Sequence, residues 1–186
     1  MTAFDKDLWS RIEAHQIGPP DASLNFADRL ARENRWSVEH AQRVILEYKR
    51  FCYLARTAGY QVTPSDAVDQ AWHLHLTYSR DYWEVFCPEV LGAPLHHGPT
   101  AGGHVERTRY YDQYAATLKA YEDAFGRPPP SDIWPDAKRR FEVDPMGQRV
   151  NPKDVWIVSR PAIAAAFFAV AVIAAILGWL LRGIMT

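Results

Sequence analysis

Between Pro161 and Leu181 the chain reads PAIAAAFFAVAVIAAILGWLL, 21 residues without one ionisable side chain. As a helix rising about 1.5 Å per residue, this run covers about 30 Å, the thickness of a bilayer's hydrocarbon layer. The core helix of a soluble protein keeps a polar face, whereas this run is apolar all round. It therefore predicts one transmembrane anchor over residues 160–182 with a short tail at 183–186, and it names the lipid bilayer as the partner of 161–181. Trp156 ahead of the run and Trp179 inside its far end suit the headgroup level. Lys138, Arg139, Arg140, Arg149, Lys153 and Arg160 precede the run and only Arg182 follows it, so the positive-inside bias predicts an N-terminal domain facing the cytoplasm. With so little chain beyond the run, insertion is expected after synthesis, as in tail-anchored proteins. The alanines and Gly178 allow close helix packing, but no GxxxG spacing makes a dimer specific, and plain anchoring is the expectation.

Residues 1–145 have the length of one ordinary helical domain, and 146–159 read as a linker. A formal net charge of -1, from 21 basic and 22 acidic residues, creates no field for nucleic acid, and no nucleic-acid partner is expected. Aromatic residues make up 13% of the chain, with seven Trp, enough for a packed interior. The two cysteines, Cys52 and Cys87, make no disulfide framework and fit a reducing compartment. The opening MTAFDKDLWSRIEAHQ mixes acids and bases and does not read as a leader.

Phe4, Leu8, Ile12 and His15 recur at helical spacing, so Phe4 to Ile17 predicts a short amphipathic helix, stopped by Gly18-Pro19-Pro20. Asp21 or Ser23 can cap a second helix, Leu24 to Asn34. Ser37 can cap a third, on which Val38, Ala41, Val44, Ile45, Tyr48, Cys52 and Ala55 form one stripe until Gly59. Cys52 on that stripe reads as a small buried residue. Pro64, Ser65 and Asp66 start a fourth helix reaching Tyr78. A new start at Ser79 or Arg80 runs to Gly92 and is shortened or kinked at Pro88. APLHHGPTAGG is a loop, and a long helix from His104 to Phe125 ends at Gly126. RPPPSDIWPDAKRRF reads as a polyproline turn leading to a short basic helix. No alternating strand pattern occurs, so the fold class is all-α: a compact multi-helix soluble domain followed by one C-terminal transmembrane helix.

Five of the seven histidines fall between His73 and His104. Asp69 and His73 are four apart and share a helix face, whereas His75 points about 200° away from His73 and cannot join it on one ion. One reading brings Asp69, His73 and a loop histidine, His97 or His96, around zinc, with Cys87 or Glu106 completing the site. The other buries His73 against Asp69, with His97 holding the loop and Trp72, Tyr78, Tyr82 and Trp83 supplying the packing. Nothing near Cys87 argues for a thiolate. No nucleophile elbow, phosphate loop or HExxH is present. Ala101-Gly102-Gly103 reads as a helix start, and Lys138-Arg139-Arg140 as a solvated helix end.

The segment PSDAVDQAWHLHLTYSRDYWEVFCPEVLGAPLHHGPTAGGHVE resembles the glycine-rich domain-containing protein-like family, with its WHxH element, aromatic-Cys element and histidine loop. The resemblance covers about Val62 to Trp134 and rests on Asp69, Trp72, His73, His75, Tyr82, Cys87, His97, Pro99, Gly102 and Gly103. It implies a helical domain without a defined reaction. This chain resembles a bacterial-type, membrane-anchored member, since it has the apolar run in place of the glycine-rich tail. The leading expectation is a membrane-tethered binding or scaffolding module for a cytosolic protein. The competing one is a zinc-dependent enzyme, a hydrolase, working through Asp69, His73 and His97.

Overall fold

Eight helices and no strand make up the described residues of the computed structural model, which are 4–19, 21–98, 103–143, 158 and 160–184. The chain divides into two units, Met1–Pro145 and Met146–Thr186.

In the first unit, α1 spans Lys6–Ala14, α2 Phe26–Asn34, α3 Val38–Thr57, α4 Asp66–Thr77 and α5 His104–Phe125. Caps set the starts of the first four. Asp5, Asn25, Ser37 and Ser65 each accept a hydrogen bond from a backbone N–H of the first turn. Helix α1 is therefore shorter at both ends than the apolar spacing suggests. Phe4 lies ahead of the cap, stacked on Tyr53 at 4.8 Å, and His15 closes the helix in extended backbone. Asn25, not Asp21 or Ser23, caps α2, because its side chain reaches the N–H of Asp28 at 3.0 Å. Gly18 turns the chain after α1 at φ +76, and a Cβ there would come within 2.6 Å of the Tyr78 ring.

Helix α3 runs through the middle and touches α1, α2, α4 and α5. Its Ala41, Val44, Tyr48 and Cys52 are fully buried, and Leu30 from α2 and Ile12 from α1 close over them. Burying one such aliphatic side chain contributes about 1.5–3 kcal/mol. Glu47 breaks the pattern, since it is a carboxylate on the buried side of α3. Helix α5 turns Tyr114, Thr117 and Tyr121 inward, and the following stretch folds back to bury Ile133, Trp134 and Ala137. The basic segment after it is one wide turn, Arg139–Val143.

The segment Asp81–Leu91 is a helix wound in wide i→i+5 turns, not an ordinary α-helix interrupted at Pro88. Pro88 has no N–H to donate and crowds the carbonyl one turn back, and a wider turn relieves the crowding. The buried residues Tyr82, Phe86, Cys87 and Leu91 fall at offsets of four, five and nine, as wide turns require. Gly92, at φ +71, ends this helix and releases the histidine loop.

In the second unit, α6 spans Arg160–Ile184, a helix of 25 residues or about 37 Å. Its window Arg160–Leu177 is long and apolar enough to cross a membrane, and none of it is buried. Trp156 and most of the linker lie outside the described residues.

Candidate metal centre

Helix α4 presents chemistry on two opposite sides. Its spacing carries Asp69 and His73 outward and turns His75 into the core, where it has no exposed surface.

On the outer side, His97 Nε2 donates to Asp69 Oδ1 at 2.9 Å, and His73 Nδ1 stands 3.8 Å from Asp69 Oδ2. The two imidazole rings are 4.4 Å apart. One ligand atom from each of the three residues lies within 4.8 Å of the other two. A tetrahedral ion with bonds of about 2.0–2.2 Å separates its ligands by about 3.3 Å, so small side-chain adjustments would suffice. The cluster is open on one side: His73 is 48% exposed, against 25% for Asp69 and 23% for His97.

The loop reaches this position through a buried relay. Trp72 Nε1–H donates to the Tyr82 hydroxyl at 2.8 Å, and that hydroxyl donates to the Leu95 carbonyl. The Trp72 ring meets His97 edge-on at 4.5 Å. Leu95 is thus fixed two residues ahead of His97. An extended loop alternates its side chains, so His96 faces outward, tilted against the exposed Trp83 at 5.3 Å, and does not join the cluster. The exposure of His73 corrects the expectation of a buried histidine there.

Cys87 and Glu106 do not complete the cluster. The Cys87 thiol is buried and pushed up by that burial, while Glu106 accepts from Arg109 at 2.8 Å. Cys52 is likewise buried and pushed up. Gly103 stands at φ +88 immediately before α5; Gly102 and Pro99 lie outside the described residues.

On the inner side, His75 Nε2 and His15 Nε2 both approach Asp81 Oδ2, at 2.7 and 3.2 Å. The other ring nitrogen of His75 meets the Tyr48 hydroxyl at 2.9 Å. Burial pushes the His75 pKa down to about 4, against the opposing pull of Asp81, so the ring is neutral at pH 7. His15, Asp81 and Tyr48 were not expected here. The one sequence signal was a histidine on the apolar face of α1, and its partners come from three other helices.

A protein-family model described as UCP032817-like matches residues 22–115. That span contains Asp69, His73 and His97. No curated protein and no solved structure matches the chain.

Proposed function

The chain belongs to the UCP032817-like family, and from that premise we propose that it is a single-pass membrane protein whose cytoplasm-facing helical domain holds a divalent ion, zinc before others, on Asp69, His73 and His97. One observation carries this reading: three ligand atoms of the types zinc takes stand within 4.8 Å of one another on an accessible face. Three protein ligands leave a coordination position for water or substrate, and zinc in such a position supplies Lewis-acid chemistry, which fits a hydrolase. Asp69 and His73 sit on one rigid helix, while Trp72 and Tyr82 hold the His97 loop against it.

The membrane part of the proposal rests on α6 and on the basic residues ahead of it. The WHLH and HHG elements support kinship with the glycine-rich domain-containing protein-like family. A scaffold for a cytosolic partner is the second reading, favoured by the exposed Trp83, 41% accessible, beside His96.

The test is zinc content of the full-length chain purified in detergent. Because His73 is half exposed, His73→Ala is expected to leave folding within about 0.5 kcal/mol of wild type and to remove the ion from this site. A chain that binds no zinc at micromolar concentration would leave the scaffold reading in place. For the anchor, the chain is expected to stay with membranes through an alkaline wash and to leave them in detergent. Protease added on the cytoplasmic side should digest the helical domain. Release by the wash, or protection from that protease, would refute the anchor or its orientation respectively.

A further inference from the structure

We propose a second, enclosed divalent-cation site on the inner side of α4, formed by His15, His75 and Asp81, suited to zinc and independent of the Asp69 cluster. Both imidazole Nε2 atoms reach the same carboxylate oxygen, Asp81 Oδ2, at 3.2 and 2.7 Å. Two plain hydrogen bonds would be served as well by one donor on each oxygen. Three donor atoms gathered within 4.8 Å, two nitrogens and an oxygen, are the arrangement a cation uses.

Each ligand is placed by a different element. His15 reaches inward because α1 stops at Ala14 and the chain turns extended, with φ -62 and ψ 128. His75 comes from α4, and Asp81 opens the wide helix. Tyr48 on α3 stands behind His75, its hydroxyl 2.9 Å from Nδ1. A histidine that binds a metal through one ring nitrogen donates the proton on the other to a fixed acceptor, and Tyr48 is placed to accept it. Phe86 packs against both imidazoles, at 5.2 and 5.0 Å, and Tyr82 meets His75 edge-on at 4.9 Å. This aromatic wall shields most of the group from water, and Asp81, 19% exposed, leaves one edge for entry and for a fourth, water ligand. The ion would join the end of α1, α4 and the start of the wide helix.

The arrangement implies a change of tautomer. In the metal-free chain the Asp81 carboxylate can only accept, so His75 carries its proton on Nε2 and Tyr48 donates to Nδ1. With Nε2 on the ion, the proton sits on Nδ1 and Tyr48 accepts it.

The experiment is zinc titration of the full-length chain in detergent micelles, read by equilibrium dialysis and by NMR of the histidine nitrogens. The expected result is two zinc ions per chain, one lost in His15→Gln and the other in His73→Ala, with His75 moving from the Nε2–H to the Nδ1–H form. Unchanged zinc content in His15→Gln, or a His75 proton that stays on Nε2 at saturation, overturns the enclosed site. If His15→Gln does not fold, the wild-type nitrogen spectrum decides alone. A single ion lost in His73→Ala and kept in His15→Gln removes this site and spares the open one. The reverse pattern removes the open one and spares this.

Discussion

Replacing Glu47 by alanine is expected to lower the unfolding free energy of the helical domain by about 3–5 kcal/mol, the largest effect of any single substitution considered. Glu47 is only 3% exposed. One carboxylate oxygen accepts from the Arg50 guanidinium, and the other accepts from Trp134 Nε1 at 3.1 Å. Arg50 is itself 11% exposed, and its guanidinium also donates to the Tyr121 hydroxyl at 3.0 Å and lies over the Phe125 ring. Without the carboxylate, a largely buried cation loses its counter-ion and keeps only the neutral Tyr121 hydroxyl, and the buried Trp134 indole N–H loses its acceptor. The same carboxylate ties α3 to the stretch after α5, so the damage should extend to the packing of Trp134. Since an ordinary domain is stable by about 5–15 kcal/mol, such a loss leaves a marginal fold. Urea unfolding of the detergent-solubilised chain measures it. Glu47→Gln, which keeps an acceptor for Trp134, should cost less than Glu47→Ala. A loss under about 1 kcal/mol in Glu47→Ala would show that the domain tolerates Arg50 without its carboxylate, contrary to this account.

With metal removed by chelator, the domain should lose about 3 kcal/mol as the pH falls from 6.5 to 4. The His75 pKa is pushed down from 6.5 to about 4, chiefly by burial. A depressed histidine pKa means that the unfolded chain takes up a proton in this window before the folded chain does. Stability is therefore full above 6.5, falls as pH drops toward 4, and falls no further on this account below it. Asp81, His15 and Tyr48 face the ring. Asp81 favours the charged form and His15 opposes it, but burial is the larger effect. Chemical unfolding at a series of pH values measures the slope, and His75→Gln should flatten it. A wild-type slope no steeper than that of the variant would mean that the buried imidazole does not control acid stability.

Parts of the helical architecture could be read from single residues and local spacing. Ser37 and the stripe through Val44, Tyr48 and Cys52 mark α3, and Gly126 marks the end of α5, because caps and apolar periodicity are properties of neighbouring residues. The same holds for Asp69 and His73, whose shared face follows from a separation of four. The wide helix at Asp81–Leu91 was not legible, since Pro88 is compatible with a break, a kink or a wider turn, and burial of Tyr82, Cys87 and Leu91 selects the last.

The distant contacts belong to another class. His15 and Asp81 are 66 residues apart, and Trp134 is 87 from Glu47, yet both pairs are within hydrogen-bond reach. Local order is encoded within a turn or two of chain, so the helices and the apolar run at 161–181 can be recognised from composition and period alone. The meeting of His97 with Asp69, of His15 with His75, and of Trp134 with Glu47 depends on how the helices pack. Packing is settled jointly by many side chains, so no short stretch of sequence contains it.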